Sequence, residues 1–180
     1  AVIRVNGEQK CTSNCDLSLV PGDYQFMALL DGYEPAVSLL TVVPGKPAAV
    51  NLELQPQAQS VRILTDLPQG QVTLDDQPPV DLQDGQYVFG KVAAGAHSIK
   101  VASRTGEAAF TVEVADSKAP TVNGPVTARN LIAVLVSSIG EKARVSTSGP
   151  AKLALNGQPQ ADAGPAGVDL AGFRPGVNEI

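Results

Sequence analysis

The amino-acid sequence predicts an all-β chain built from small antiparallel β-sandwich modules in tandem, one complete and two partial. Three observations predict it: apolar and polar residues alternate in many short runs, turn dipeptides separate the runs, and one strand–turn–strand pattern recurs along the chain. Of the 180 residues 43% are hydrophobic, mainly Val, Leu and Ala, with 4 Phe, 3 Tyr and no Trp. Val branches at Cβ and suits a pleated, half-buried surface. With 17 Gly and 14 Pro the chain is well supplied with turn formers. No window of about three turns carries a helical stripe.

In chain order, the alternating runs are Val2-Ile3-Arg4-Val5, Asp16-Leu17-Ser18-Leu19, Tyr24-Gln25-Phe26-Met27 and Val50-Asn51-Leu52-Glu53-Leu54. Then follow Val61-Arg62-Ile63-Leu64, Val72-Thr73-Leu74, Tyr87-Val88-Phe89, Ser98-Ile99-Lys100-Val101 and Phe110-Thr111-Val112-Glu113-Val114. The last are residues 131–136, Arg144-Val145-Ser146-Thr147, Lys152-Leu153-Ala154-Leu155 and Val168-Asp169-Leu170. Asn6-Gly7, Pro21-Gly22, Asp31-Gly32, Pro44-Gly45, Asp84-Gly85, Asn156-Gly157 and Pro175-Gly176 supply the turns between them.

Internal repetition sets the module frame. A short strand ending in an Asn or Asp turn occurs as Val5-Asn6-Gly7, Leu74-Asp75-Asp76 and Leu155-Asn156-Gly157. Each is followed by a second apolar stretch and a glycine turn, at Gly22, Gly95 and Gly176. The run at 50–54 followed by 61–64 parallels 134–138 followed by 144–146, so one module closes with a strand and the next opens a few residues later. The expected modules are residues 1–58, lacking a first strand, 59–141, carrying an insertion over 115–130, and 142–180, truncated at its C-terminal side.

The residues of the first module carry a family resemblance. Strand–Asn6-Gly7, then Leu17-x-Leu19-x-Pro21-Gly22-x-Tyr24, Asp31-Gly32-Tyr33, Val42-x-Pro44-Gly45 and a closing Val50-x-Leu52-x-Leu54 resemble the bacterial PEGA family of small β-sandwich surface modules. The second module shares Pro68-Gln69-Gly70-Gln71-Val72, Ala94-Gly95-Ala96-His97 and Thr105-Gly106, and the third Pro150-Ala151-Lys152-Leu153 and Pro175-Gly176. The literal Pro-Glu-Gly-Ala string is absent, and related carboxypeptidase regulatory-like and immunoglobulin-like sandwiches share much of the pattern. The resemblance implies an interaction module attached to envelope proteins or to protein kinases, and brings no catalytic residues.

Composition narrows the partners. The net charge is −5 and the 13 basic residues are scattered singly, which disfavours nucleic acid and anionic membrane. The longest apolar run, 131–136, is far short of the ~20 residues that span a bilayer. No charged leader region precedes Ala1, so either a signal was removed or the chain is one piece of a longer polypeptide.

Each chemistry-bearing group has a structural reading beside the functional one. Cys11 and Cys15 stand as two free thiols, as a short disulfide of an oxidising compartment, or as half a zinc site. His97 is the one histidine and no Gly-x-Ser-x-Gly elbow accompanies it, so a surface or capping role is expected instead of a catalytic base. Asp75, Asp76, Asp81 and Asp84 share one segment, where calcium ligation competes with ordinary turn chemistry, and the solvated loop is preferred. Tyr24, Phe26, Tyr87 and Phe89 fall at same-face spacing and are assigned to packing, with Tyr33 plugging a sandwich end.

No catalytic, cofactor or metal residue is assigned. The expected function is a non-enzymatic structural or protein-binding array of a bacterial envelope or surface protein, outside the cytoplasm. The alternatives are a sensory region of a signalling protein such as a kinase, and a subunit joined to others by strand complementation. Neighbouring modules, a protein partner, or a second copy meeting at strand edges are the expected contacts. Loops at 8–15 and 115–130, with Glu8, Lys10, Asn14, Asn123 and Arg129, are the candidate contact positions.

Overall fold

The structure, a computed structural model, describes residues 1–174 and 176–180; Pro175, part of the expected Pro175-Gly176 turn, lies outside the described residues. Its elements are strands, with no helix among the described residues, and they divide into two units, Ala1–Gln57 and Ala58–Ile180.

The first unit is organised by its turns. β1 (Val2–Val5) passes to β2 (Glu8–Thr12) through Asn6 and Gly7, both at positive φ, 48° and 85°. That pair of left-handed residues is what a two-residue hairpin matching the twist of its strands needs. β3 (Gly22–Leu29) and β4 (Ala36–Val42) complete an antiparallel sheet of order β2-β1-β3-β4. The register pairs Val5 with Phe26 and Ile3 with Ala28, so these side chains share one face, where Val5, Phe26 and Ala28 are buried. β4 alternates strictly, Ala36, Ser38, Leu40 and Val42 half-buried, Val37, Leu39 and Thr41 exposed.

Two expected strands of this unit are not strands. Residues 16–19 and 50–54 join no sheet, although Leu17, Leu19, Val50, Leu52 and Leu54 alternate as half-buried positions with exposed neighbours. Near residue 56 the chain returns to the unit: Tyr33 bridges Pro56, Glu34 N–H donates to Gln55 and Gln57 N–H to Gly32. β2 and β4, in turn, are strands that the alternation did not mark. β2 is wholly polar up to Cys11, and Ala-Val-Ser-Leu-Leu-Thr-Val places two Leu side by side, so its pattern of 2 is visible only in burial.

The second unit holds a complete sandwich. One sheet runs β11 (Thr121–Val122), β10 (Glu107–Val114), β9 (Gly95–Ala102), β6 (Gln71–Leu74), β7 (Val80–Asp81), with β12 (Thr127–Arg129) also on β10. The other runs β17 (Val168–Asp169), β14 (Lys142–Thr147), β13 (Ala133–Ile139), β5 (Gln59–Thr65), β8 (Gln86–Phe89). Val61 and Ile63 of β5, Ala133 and Leu135 of β13, and Val72, Ile99, Val101, Phe110 and Val112 of the facing sheet form one buried core. Each fully buried side chain of this kind contributes about 1.5–3 kcal/mol of transfer free energy.

The expected division at 141/142 takes a different form. β13 and β14 are adjacent strands of one continuous sheet, paired from Val134↔Thr147 to Ile139↔Lys142. A second core lies on the other face of that sheet: Val136, Ala143, Val145, Leu155, Ala163 and Leu170, with Leu64, Val134, Leu153 and Phe173 packed against it. β13 is apolar on both faces, since its even-numbered Val134 and Val136 serve this core and Ala133 and Leu135 the first. β13 thus lines both cores, and residues 142–180 pack on the same sheet within the second unit. The hairpin β15 (Ala154–Leu155) to β16 (Gln158–Pro159) turns at Asn156 and Gly157, again both at positive φ.

The insertion is the other revision. Within 115–130, β11 and β12 pair with β10 through Val112↔Val122, Glu113↔Thr121, Glu107↔Arg129, Ala108↔Ala128 and Ala109↔Thr127. It closes a sheet edge and is not a free loop.

Candidate functional site

An outer strand offers a row of unpaired N–H and C=O groups, and folded proteins blunt such rows with charge, bulges, short length or a covering segment. The outer strands here differ in how they are treated. β2 carries Glu8 and Lys10 in an ion pair of 2.7 Å, a register shift opposite Ile3/Arg4, and a disulfide from Cys11 to Cys15 just beyond. β10 is covered by the insertion. β7 and β17 are two residues long and β8 four. β4 has none of these devices: seven residues, Ala-Val-Ser-Leu-Leu-Thr-Val, without charge or proline. Its exposed face presents Leu39, 78% exposed, and Val37, 50% exposed.

The sequence-derived contact positions fall elsewhere. Glu8 and Lys10 lie on strand β2, bonded to each other, and not in a loop. Asn14 stands exposed inside the disulfide loop 11–15, where Ser13 has φ of 64° and its N–H donates to Ala1. Asn123 N–H donates to the Thr111 carbonyl, and Arg129 sits in β12 with Nε donating to Glu107 at 3.2 Å. The structure therefore gathers none of these five into one surface loop. With Cys11 and Cys15 bonded to each other, neither is a free thiol or a thiolate ligand for zinc.

His97 is held on both nitrogens. Nδ1 faces Asp75 Oδ2 at 2.8 Å and Nε2 faces the Ala93 carbonyl at 2.9 Å, while the Ser98 N–H donates to Asp75 Oδ1 at 2.8 Å. Two acceptors on one ring favour the imidazolium, in which both nitrogens donate. The Asp75 hydrogen bond raises the His97 pKa above its ordinary 6.5 against the opposing effect of burial, helped by the Ala93 carbonyl and by the charges of Asp75 and Glu113. The same bond, followed by the Ser98 N–H, lowers Asp75 below 3.8. A ring so occupied has no nitrogen left to take a proton from a nucleophile; it clamps the turn after β6 to the start of β9.

The acidic segment is divided among local duties. Asp75 belongs to this clamp, Asp81 accepts from Gln71 Nε2 at 3.0 Å, and Asp84, at φ of 49°, makes the tight turn with Gly85. Among the described residues no three His, Cys, Asp or Glu gather as metal ligands. Tyr87 and Phe89 meet edge to face at 4.9 Å against the first core of the second unit. Tyr24 and Phe26 lie 6.5 Å apart, Phe26 buried and the Tyr24 hydroxyl donating to the Val20 carbonyl. The β4 edge escaped sequence reading because an edge is a property of sheet order, which no local pattern encodes.

No helix is long and apolar enough to cross a membrane among the described residues. No curated protein and no solved structure matches the chain. Residues 1–58, which take in the whole first unit with its β2-β1-β3-β4 sheet, match the PEGA domain.

Proposed function

We propose that this chain is a non-enzymatic, protein-binding array of an extracytoplasmic envelope protein, and that it meets its partner by β-strand addition along β4. The observation that carries this reading is the contrast among outer strands: β2 is charged and tied, β10 is covered, and β4 is long, uncharged and faced with Val37 and Leu39. Strand addition takes its affinity from main-chain hydrogen bonds and its selectivity from alternate side chains, so an apolar edge of this length suits it. The PEGA match over residues 1–58 and the disulfide at Cys11–Cys15 support a place outside the reducing cytoplasm.

A photo-crosslinking residue at Leu39, compared in cells with the same residue at exposed Asp162, tests the proposal. Discrete protein adducts are expected at position 39, to be lost when Val37→Lys places charge on the edge. Equal labelling at both positions would refute it.

A further inference from the structure

We infer that the strand which adds to β4 is the β4 of a second copy of this chain, antiparallel to the first and related to it by a two-fold axis through Leu40. This names the partner for the strand addition proposed above and rests on that reading.

The inference comes from what stands on either side of Leu40. The exposed row of β4, Val37, Leu39 and Thr41, continues to Val43, which is 45% exposed. Leu40 is the midpoint of that row. Pro35 and Pro44 bracket it. The first charged residue beyond the prolines is Glu34 on one side and Lys46 on the other, both exposed and both six positions from Leu40.

Such an edge is its own complement after half a turn. In a two-fold pair one patch serves both subunits, so that residue i meets j and j meets i. An axis at Leu40 sets Leu40 opposite its own copy, Val37 opposite Val43, Ser38 opposite Val42 and Leu39 opposite Thr41. Residues directly opposite across a ladder share a face of the sheet. Here exposed residues meet exposed ones, and the half-buried Ser38, Leu40 and Val42 meet one another. A slip of one residue would set exposed Leu39 against half-buried Leu40 and turn the inner faces of the two sheets to opposite sides.

The flanks fix direction and length. Antiparallel pairing carries Glu34 of each copy towards Lys46 of the other, whereas parallel pairing would set Glu34 beside Glu34 and Lys46 beside Lys46. Pro44 has no N–H to give a ladder, so the pairing stops at Val43. An unrelated strand has no reason to match an apolar row, two prolines and two opposite charges that repeat about one residue; a second copy matches all three. Among the described residues no segment pairs with the outer side of β4. One added strand pair is a small interface, which places the dimer in the weak, exchanging class.

Sedimentation equilibrium of the 180-residue chain, carried to millimolar concentration, is expected to show a monomer–dimer equilibrium. Glu34→Lys and Lys46→Glu, each alone, should raise the dimer Kd by about tenfold at low salt, and the two in one chain should restore it. Under oxidation, Val37→Cys mixed with Val43→Cys should give a disulfide-linked dimer that Val37→Cys alone does not. A chain that stays monomeric would overturn the inference, as would a dimer that Val37→Lys and both charge reversals leave unchanged. Slow exchange of the outward amides of Ala36–Val42 at every chain concentration would overturn it in favour of a segment of the same chain. The Leu39 crosslinks separate the two proposals. Adducts to a different protein would remove the second copy and leave strand addition at β4 standing, while equal labelling at Leu39 and Asp162 would remove strand addition itself.

Discussion

Gly106→Ala probes the insertion that closes β10. A Cβ at residue 106 would lie 2.5 Å from the Asn130 carbonyl oxygen and 2.8 Å from that of Arg129. Both obstacles are backbone, so the chain has to move, and the movement falls on the end of β12. Overpacking of this kind costs about 1–3 kcal/mol. Gly106 is not at positive φ, so alanine also narrows the unfolded ensemble, which returns about 0.4–1 kcal/mol. The expected net loss is about 1–2 kcal/mol from the second unit. It should be concentrated where Glu107, Ala108 and Ala109 pair with Arg129, Ala128 and Thr127. Denaturant unfolding gives the magnitude, and hydrogen exchange at 127–129 gives the place. Because the displaced strand uncovers the β10 edge, sedimentation should show more association than for the parent chain at the same concentration. A variant as stable as the parent, with unchanged exchange at 127–129, would refute the argument that this close approach seats the insertion.

Two further outcomes follow from the sites described. His97 is raised above 6.5, so its contribution to stability is fully present below that value and is lost as pH climbs through its folded pKa; Asp75 is lowered, so its part is lost as pH falls through its own. His97→Ala should therefore destabilise the second unit more at mildly acidic pH than at alkaline pH, and a stability gap that widens as pH rises would show the sign to be wrong. Cys11→Ser opens a five-residue loop and should cost the first unit about 2 kcal/mol, leaving one titratable thiol at Cys15. An unchanged unfolding midpoint for the first unit would show that the cross-link does not restrain its unfolded chain.

Much of the fold was legible because its causes are local. Asn6-Gly7, Asp84-Gly85 and Asn156-Gly157 specify turns by their own conformational preference, and each forms a tight turn with positive φ at both residues. Alternation found β1, β3, β5, β6, β8, β9, β10 and β14 because each buries one face more than the other. Alternation failed for β4, where Leu39 and Leu40 are adjacent, and for the polar β2, whose pairing comes from its hairpin and not from burial. It also named 16–19 and 50–54 as strands, correctly reading which side chains turn inward but not whether a backbone stands beside them.

The sequence by itself determined the class of fold, most of the strands and the tight Asn-Gly and Asp-Gly turns, since periodicity and turn preference are written residue by residue. Only the tertiary structure decided that β13 serves two cores, that the insertion covers β10 while β4 is left bare, and that residues 16–19 and 50–54 join no sheet. The physical reason is that hydrogen-bond partnership between strands depends on which segments become neighbours, and neighbours in a sheet are set by the chain's path through space.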